Sequence, residues 1–104
     1  MERVAFKMKL FPGHEAEYKK RHDEIFPELR ELLARYGIRD YSIFHDPETN
    51  ILFAVFSKTA DNRLNELAAH PVMQKWWAFM GDIMETNPDQ SPVQAPLTEV
   101  FHID

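Results

Sequence analysis

The segment IRDYSIFHDPETNILFAVFS, residues 38–57, decides the fold because it holds two strand patterns separated by a turn. Residues 38–45 and 51–57 are rich in β-branched and aromatic side chains, which favour strands. The five residues between them, DPETN, have the composition of a turn. We therefore predict an antiparallel hairpin in the middle of the chain.

Upstream of the hairpin, the sequence predicts one strand and one helix. Apolar and polar residues alternate over 4–10, which is typical of a strand with one apolar face. Over 14–36 apolar residues recur at steps of three and four, which predicts an amphipathic helix that ends at Gly37. Pro27 should kink this helix just after His22. The inward stripe contains Tyr18, His22, Ile25, Phe26, Leu29, Leu32, Leu33 and Tyr36.

Downstream of the hairpin, the sequence predicts a second helical region and a last strand. The region starts near Thr59 and is interrupted by Pro71, which can occupy the first turn of a new helix. Residues 86–96, TNPDQSPVQAP, are polar and rich in proline, so we expect no regular structure there. Residues 97–103, LTEVFHI, have a strand pattern.

The resulting order, βαββαβ, predicts a ferredoxin-like α+β fold with a four-stranded antiparallel sheet and helices on one face. Both faces of strand 51–57 are apolar, although two helices cover only one side of such a sheet. The uncovered side would expose a large apolar patch. We therefore expect a homodimer joined through its sheets, with a monomer covered by one of its own loops as the alternative.

Length and composition limit the class of protein. Residues 1–104 suffice for a single domain. The sequence has no cysteine, no signal-peptide pattern at its start and no apolar run long enough for a membrane span, so we predict a cytoplasmic protein. The net charge of −5 disfavours a nucleic-acid partner. The basic cluster Lys19-Lys20-Arg21 has acidic neighbours and is interpreted as a solvated helix face.

Tyr18 and His22 are the most unusual residues of the first helix. They lie four positions apart and therefore on one face, which is the inward stripe. One interpretation is a core histidine with a satisfied hydrogen bond. The other is that both polar side chains face a cavity between helix and sheet, with room left by the kink at Pro27.

Further candidates are aromatic. Trp76 and Trp77 point about 100° apart on a helix, so Trp76 fits the packed stripe and Trp77 its edge. They are either two core residues or a wall for a ligand such as a sugar. Tyr41 lies in phase with Ile43 and His45, and its hydroxyl needs a partner if that face is covered.

The sequence offers little for other chemistries. The five histidines show no metal-ligand spacing, and no nucleophile elbow, phosphate loop or dinucleotide fingerprint is present. We therefore predict no metal and no cofactor, and any catalysis should be of the proton-transfer kind.

Several segments together resemble the L-rhamnose mutarotase family, from Ala5 to Asp104. They are YKKRHDEIFPEL, GIRDYSIF, KWWAFM, METNPDQSPV and EVFHID. The resemblance implies a fold of the dimeric α/β-barrel type and interconversion of the α and β anomers of L-rhamnose in the cytoplasm. It also implies that His22 is the proton donor and that Tyr18, Tyr41, Trp76 and Trp77 contact the sugar. Phe26 and Phe79 stand where the family usually has tryptophan and tyrosine.

This chemistry requires one proton delivered to the ring oxygen and one removed from the anomeric hydroxyl, which histidine can support near neutral pH. The sequence leaves the base open between Tyr41, a water and a loop residue. Two other functions remain alternatives: a cofactor-free monooxygenase, and a binding module without turnover.

Overall fold

The computed structural model describes all 104 residues and contains four strands, three α-helices and one 3₁₀ helix. The strands are β1 (Glu2–Lys9), β2 (Ile38–Asp46), β3 (Ile51–Lys58) and β4 (Ala95–Leu97). The helices are α1 (Glu15–Asp23), α2 (Pro27–Arg35) and α3 (Pro71–Met80), with the 3₁₀ helix at Leu64–Ala69.

The strands form one antiparallel sheet in the order β2-β3-β1-β4. This confirms the predicted ferredoxin-like α+β fold and the central hairpin. The helices pack on one face, where Leu52, Ala54 and Phe56 of β3 are buried. The core also contains Met8, Leu10, Tyr18, Leu29, Leu32, Tyr36, Ile38, Leu67, Trp76, Met80, Ile83 and Met84.

The single helix predicted over 14–36 is wrong, because the chain forms two helices there. α1 ends at Asp23, and Pro27 is the first residue of α2. Proline has no N–H to donate and fits the first turn of a helix, so it starts α2 instead of kinking a continuous helix. The two helices differ in what they bury: α1 buries only Tyr18, whereas α2 buries Leu29 and Leu32.

The last strand predicted over 97–103 is also wrong. Only Ala95–Leu97 pair, with Ala5, Phe6 and Lys7 of β1, so regular structure starts inside the segment expected to be irregular. Residues 98–104 contain no regular element. Their side chains Val100, Phe101 and Ile103 are largely exposed, so burial does not hold these residues in a strand.

A β-bulge in β2 lets Ile38 face the helix side of the sheet together with Tyr41, which is in phase with Ile43 as the sequence predicted. Arg39 pairs with Ser57 and Ser42 with Val55, so two residues of β2, Asp40 and Tyr41, lie opposite Phe56 alone. Asp40 has a φ of 52°, in the left-handed region that aspartate tolerates better than most residues. The bulge restores the phase of the strand, and the Tyr41 ring stacks on that of Phe56 with centroids 5.1 Å apart.

Candidate active site

A cavity of about 340 Å³ lies between the helices and the sheet. Its size is in the range typical of small-molecule sites, and most of its lining is apolar. Five of the lining residues are those singled out from the sequence, although they come from three different elements: Tyr18, His22, Tyr41, Trp76 and Trp77.

His22 is held by its own helix through a hydrogen bond to the backbone. Its Nδ1 lies 2.9 Å from the carbonyl oxygen of Tyr18. A carbonyl can only accept, so Nδ1 carries the donated hydrogen and, in the neutral ring, Nε2 has a free lone pair. The ring stacks on Tyr18 with centroids 4.3 Å apart and meets the edge of Trp76 at 5.2 Å. The histidine therefore lies among aromatic rings beside a cavity.

Burial lowers the pKa of His22 below its ordinary value of 6.5. Removal of water disfavours the charged imidazolium, and this effect outweighs the hydrogen bond to Tyr18 and the nearby carboxylate of Asp23, both of which favour it. His22 is consequently neutral in most molecules near pH 7, but it ionises closer to neutrality than any other lining group.

The two tyrosines in the cavity remain neutral phenols. Burial raises the pKa of Tyr18 well above its ordinary value, with a further increase caused by Tyr41. Although Tyr41 is 42% exposed, desolvation raises its pKa to about 12. Because the ordinary pKa of tyrosine is already 10.0, the hydroxyl of Tyr41 is protonated near pH 7. Both hydroxyls can therefore donate and accept hydrogen bonds.

The doubled tryptophan supplies a flat wall on α3. This helix begins at Pro71, and the side chain of His70 caps it by accepting from the backbone N–H of Val72 at 3.1 Å. Trp76 is buried and Trp77 is half-buried, as their positions on the helix predicted. Both line the cavity, where aromatic faces can cover C–H groups and indole N–H groups can reach oxygens.

The loop after α3 adds polar groups that the sequence did not single out. Thr86, Gln90, Pro92 and Gln94 line the cavity of their own chain. The only signal was the length and polarity of the whole loop, which did not indicate which side chains face the cavity. Amide side chains at the rim can both donate to and accept from a polyhydroxylated ligand.

The ionisable groups that line the cavity are Tyr18, His22 and Tyr41, without any carboxylate, lysine or arginine. No group of three or more His, Cys, Asp or Glu side chains is arranged to hold a metal ion. With both phenols neutral, the imidazole is the one lining group that exchanges a proton readily near pH 7.

A wider groove of about 1040 Å³ lies along α1 and shares Tyr18, His22, Tyr41 and Trp76 with the cavity. Its other lining residues include the charged side chains of Glu15, Lys19 and Asp23. Open space therefore adjoins α1 along the groove as well as at the cavity.

The structure therefore defines a small ferredoxin-like α+β domain with a mostly apolar pocket of the size that holds a compact ligand. A family model described as L-rhamnose mutarotase matches residues 3–103. The chain belongs to the L-rhamnose mutarotase family.

Individual relatives agree with this assignment. The L-rhamnose mutarotase of Jannaschia sp. (strain CCS1) is 60% identical over 103 residues, which are 99% of each chain. That of Bacteroides thetaiotaomicron is 56% identical over 104 residues and covers both chains completely. The crystal structure of L-rhamnose mutarotase FA22100 from Formosa agariphila superposes with a TM-score of 0.93 and 51% identity over the whole of both chains.

A more distant structure shares the fold alone. It is a putative antibiotic biosynthesis monooxygenase from Bordetella bronchiseptica, with a TM-score of 0.63 and 18% identity over 95% of this chain and 96% of its own. In the present structure, no helix is long and apolar enough to span a bilayer.

Proposed function

We propose that this chain interconverts the α and β anomers of L-rhamnose by opening and reclosing the sugar ring. We propose His22 as the proton donor, and Tyr18, Tyr41, Trp76 and Trp77 as the residues that contact the sugar. The observation that carries the proposal is that His22 is the only side chain lining the cavity, apart from two phenols, that can take up or release a proton. Mutarotation needs such a group and needs neither a metal nor a covalent nucleophile.

The proposed reaction starts with the closed sugar against the tryptophan wall. Protonated His22 delivers its Nε2 proton to the ring oxygen while the anomeric hydroxyl loses its proton, and the C1–O5 bond breaks to give an aldehyde. The aldehyde rotates about the C1–C2 bond and the ring closes on its other face, with the two protons returning in the reverse order. The sum of atoms and electrons is unchanged, so no co-reactant is required.

The proton from the anomeric hydroxyl has no carboxylate to receive it in this cavity. The two tyrosines are poor bases because phenols accept protons only weakly. We therefore propose a water, held by the phenol and amide groups at the cavity rim, as the carrier of this proton. Of the three candidates left by the sequence, this one agrees best with the lining residues.

The function is tested by anomer exchange measured with saturation-transfer NMR on equilibrated L-rhamnose. We expect the protein to increase the exchange rate in proportion to its concentration, by roughly 10²–10⁴-fold at saturation as for positioned acid–base groups. L-Fucose and D-mannose serve as comparison sugars, and heat-inactivated protein as the blank. Sugar-dependent tryptophan fluorescence without faster exchange would indicate a binding module and contradict the proposal. Oxygen consumption with phenolic substrates would favour a monooxygenase.

We also propose that two copies pair through the face of the sheet that the helices leave open. Phe44 and Phe53 are directly paired neighbours on β2 and β3, and they are 64% and 37% exposed. Leu97 of β4 lies on the same face, paired with Ala5. Residues 98–104 leave these side chains exposed, so the chain's own tail does not supply the cover that a monomer would need.

Substituting Phe53 with glutamate should convert the proposed homodimer to a monomer, because each copy would have to remove a carboxylate from water at an apolar interface, a cost that the cross-strand neighbour Lys7 offsets only in part. Light scattering during size-exclusion chromatography should give twice the chain mass of 12.3 kDa for the original protein and that mass once for the variant. The control is Ala78→Glu, which adds the same charge at an exposed position on α3. An original protein that elutes as a monomer at micromolar concentration would contradict this proposal.

A cytoplasmic location stays a prediction. It rests on the absence of cysteine from the sequence, which weakly favours a reducing compartment.

A further inference from the structure

Helix α1 presents His22 to the cavity although it has little hydrophobic anchorage of its own. Of its nine residues only Tyr18 is buried, and the groove runs along the helix past Glu15, Lys19 and Asp23. Because packing of an apolar face normally fixes a helix in a protein, α1 needs another contact to hold its position. The position matters, since a proton donor acts only within hydrogen-bond reach of the reacting oxygen.

Arg21 provides the contact that joins α1 to the end of α3. It donates through Nη1 to the carbonyl oxygen of Phe79 at 2.8 Å and to Asp82 Oδ1 at 2.8 Å, and through Nη2 to Asp82 Oδ2 at 3.2 Å. The guanidinium also lies 4.6 Å from the ring centre of Phe79. Its side chain is only 13% exposed, so the interpretation of this cluster as a solvated face is wrong for Arg21.

The same guanidinium has a second carboxylate partner within its own helix. Arg21 Nε donates to Glu17 Oε2 at 2.8 Å, four residues earlier in α1. This contact can orient the arginine, but it cannot hold α1 against the rest of the molecule. Glu17 and Asp82 therefore separate the contribution of a contact within the helix from that of the connection to α3.

We propose that Arg21, through its paired hydrogen bonds to Asp82 and its bond to the Phe79 carbonyl, is a positioning residue that fixes α1 and so holds His22 at the cavity. This role rests on the proposed function of His22. Bidentate arginine–carboxylate pairs are directional as well as strong, which suits a contact that sets the position of a helix. Arg21 does not line the cavity and acts on the sugar only through the helix that carries His22.

The proposal predicts a split between turnover and binding. The tryptophan wall and Tyr41 belong to α3 and β2 and stay in place when α1 shifts, so Tyr18 is the one proposed sugar contact that moves together with His22. We expect Asp82→Ala to lower the maximal exchange rate about tenfold, since small misplacements of a reacting group are costly. The half-saturating concentration of L-rhamnose should change clearly less than the maximal rate does, because three of the four proposed sugar contacts are unaffected. Glu17→Ala, the matched control, should keep both quantities close to their original values.

A second measurement does not depend on activity. Titration of the His22 ring by NMR should show a higher pKa in Asp82→Ala, because a loosened α1 lets water reach the imidazole. Loss of a carboxylate by itself would lower that pKa, so a rise cannot be an electrostatic effect of the substitution. Circular dichroism at the assay temperature confirms that each variant is folded.

Either of two results would overturn the inference while leaving the proposed function intact: an unchanged maximal rate in Asp82→Ala, or an equal loss in Glu17→Ala. An Asp82→Ala variant with an unchanged or lowered His22 pKa would overturn it as well. If the original protein itself fails to accelerate exchange, the proposed function is rejected, and the His22 titration alone then decides whether Arg21 positions α1.

Discussion

Substituting His22 with glutamine is expected to lower the catalysed exchange of L-rhamnose anomers by roughly 10²–10⁴-fold, the range typical of a positioned acid–base group. Glutamine is similar in reach and can still donate a hydrogen bond to the Tyr18 carbonyl, but it does not ionise. Since no other lining group ionises near neutral pH, no neighbour can replace the lost proton donor. Saturation-transfer NMR at saturating sugar measures the loss.

The size of this loss distinguishes a role of His22 in proton transfer from a role in packing alone. His14→Gln is the control, because His14 precedes the same helix and does not line the cavity. Tryptophan fluorescence with added L-rhamnose should show that the His22→Gln variant still binds the sugar, since both tryptophans and Tyr41 remain. Exchange at the original rate in this variant would show that His22 is not the donor.

The second large effect is a fall in the catalysed rate as the pH rises from about 5 to about 8. Nδ1 of His22 is committed to the Tyr18 carbonyl, so the ring can give a proton from Nε2 only in its imidazolium form. Burial lowers the pKa of His22, so the imidazolium is a minor species at neutral pH. Above that pKa the rate should fall by up to about tenfold per pH unit.

The direction of the pH effect also tests the assignment of roles. A rate that rises over the same range would mean that neutral His22 accepts the anomeric proton at Nε2, and therefore acts as a base. The tyrosines should add no inflection in this range, because Tyr41 has a pKa of about 12 and that of Tyr18 is raised as well. The spontaneous exchange rate must be subtracted at each pH.

The stability of the fold sets the lowest pH at which the rates can be compared. The folded-state pKa of His22 lies below its ordinary value of 6.5, so His22 binds a proton more weakly in the fold than in the unfolded chain. Its contribution to stability is complete above about pH 6.5 and is lost as the pH falls through the folded-state pKa. Circular dichroism at each pH should confirm that the protein is folded wherever rates are compared.

The contact between Arg21 of α1 and Asp82 after α3 could not be predicted from the sequence around Arg21. Arg21 stands in a run of basic residues with acidic neighbours, a pattern that is usually solvated. Its partner Asp82 is 61 residues away. Nothing in the segment around Arg21 distinguishes it from Lys19, which pairs with Asp23 on the exposed side of the same helix.

The division of the predicted helix into α1 and α2 at Pro27 was also missed because local spacing does not reveal it. The steps of three and four continue across it, which predicted one helix with one inward stripe. Proline interrupts the hydrogen bonds of a helix in either case, and only the structure shows that Phe26 adopts extended backbone, so that a new helix starts at Pro27. The inward direction of Tyr18 and His22 was nevertheless predicted, because residues four apart share a face in α1 alone.

The sequence by itself determined the ferredoxin-like α+β fold, the two apolar faces of β3 and the aromatic side chains that line the cavity. It also determined the family to which the chain belongs. These features follow from alternation, helical spacing and motif spacing, all of which are local. Only the tertiary structure decided that the tail leaves the sheet after Leu97, that a bulge places Ile38 on the same side as Tyr41, which loop amides meet the cavity, and that Arg21 joins α1 to α3. The physical reason is that each of these depends on which partner is within reach in space, and a distant partner leaves no trace in the local pattern.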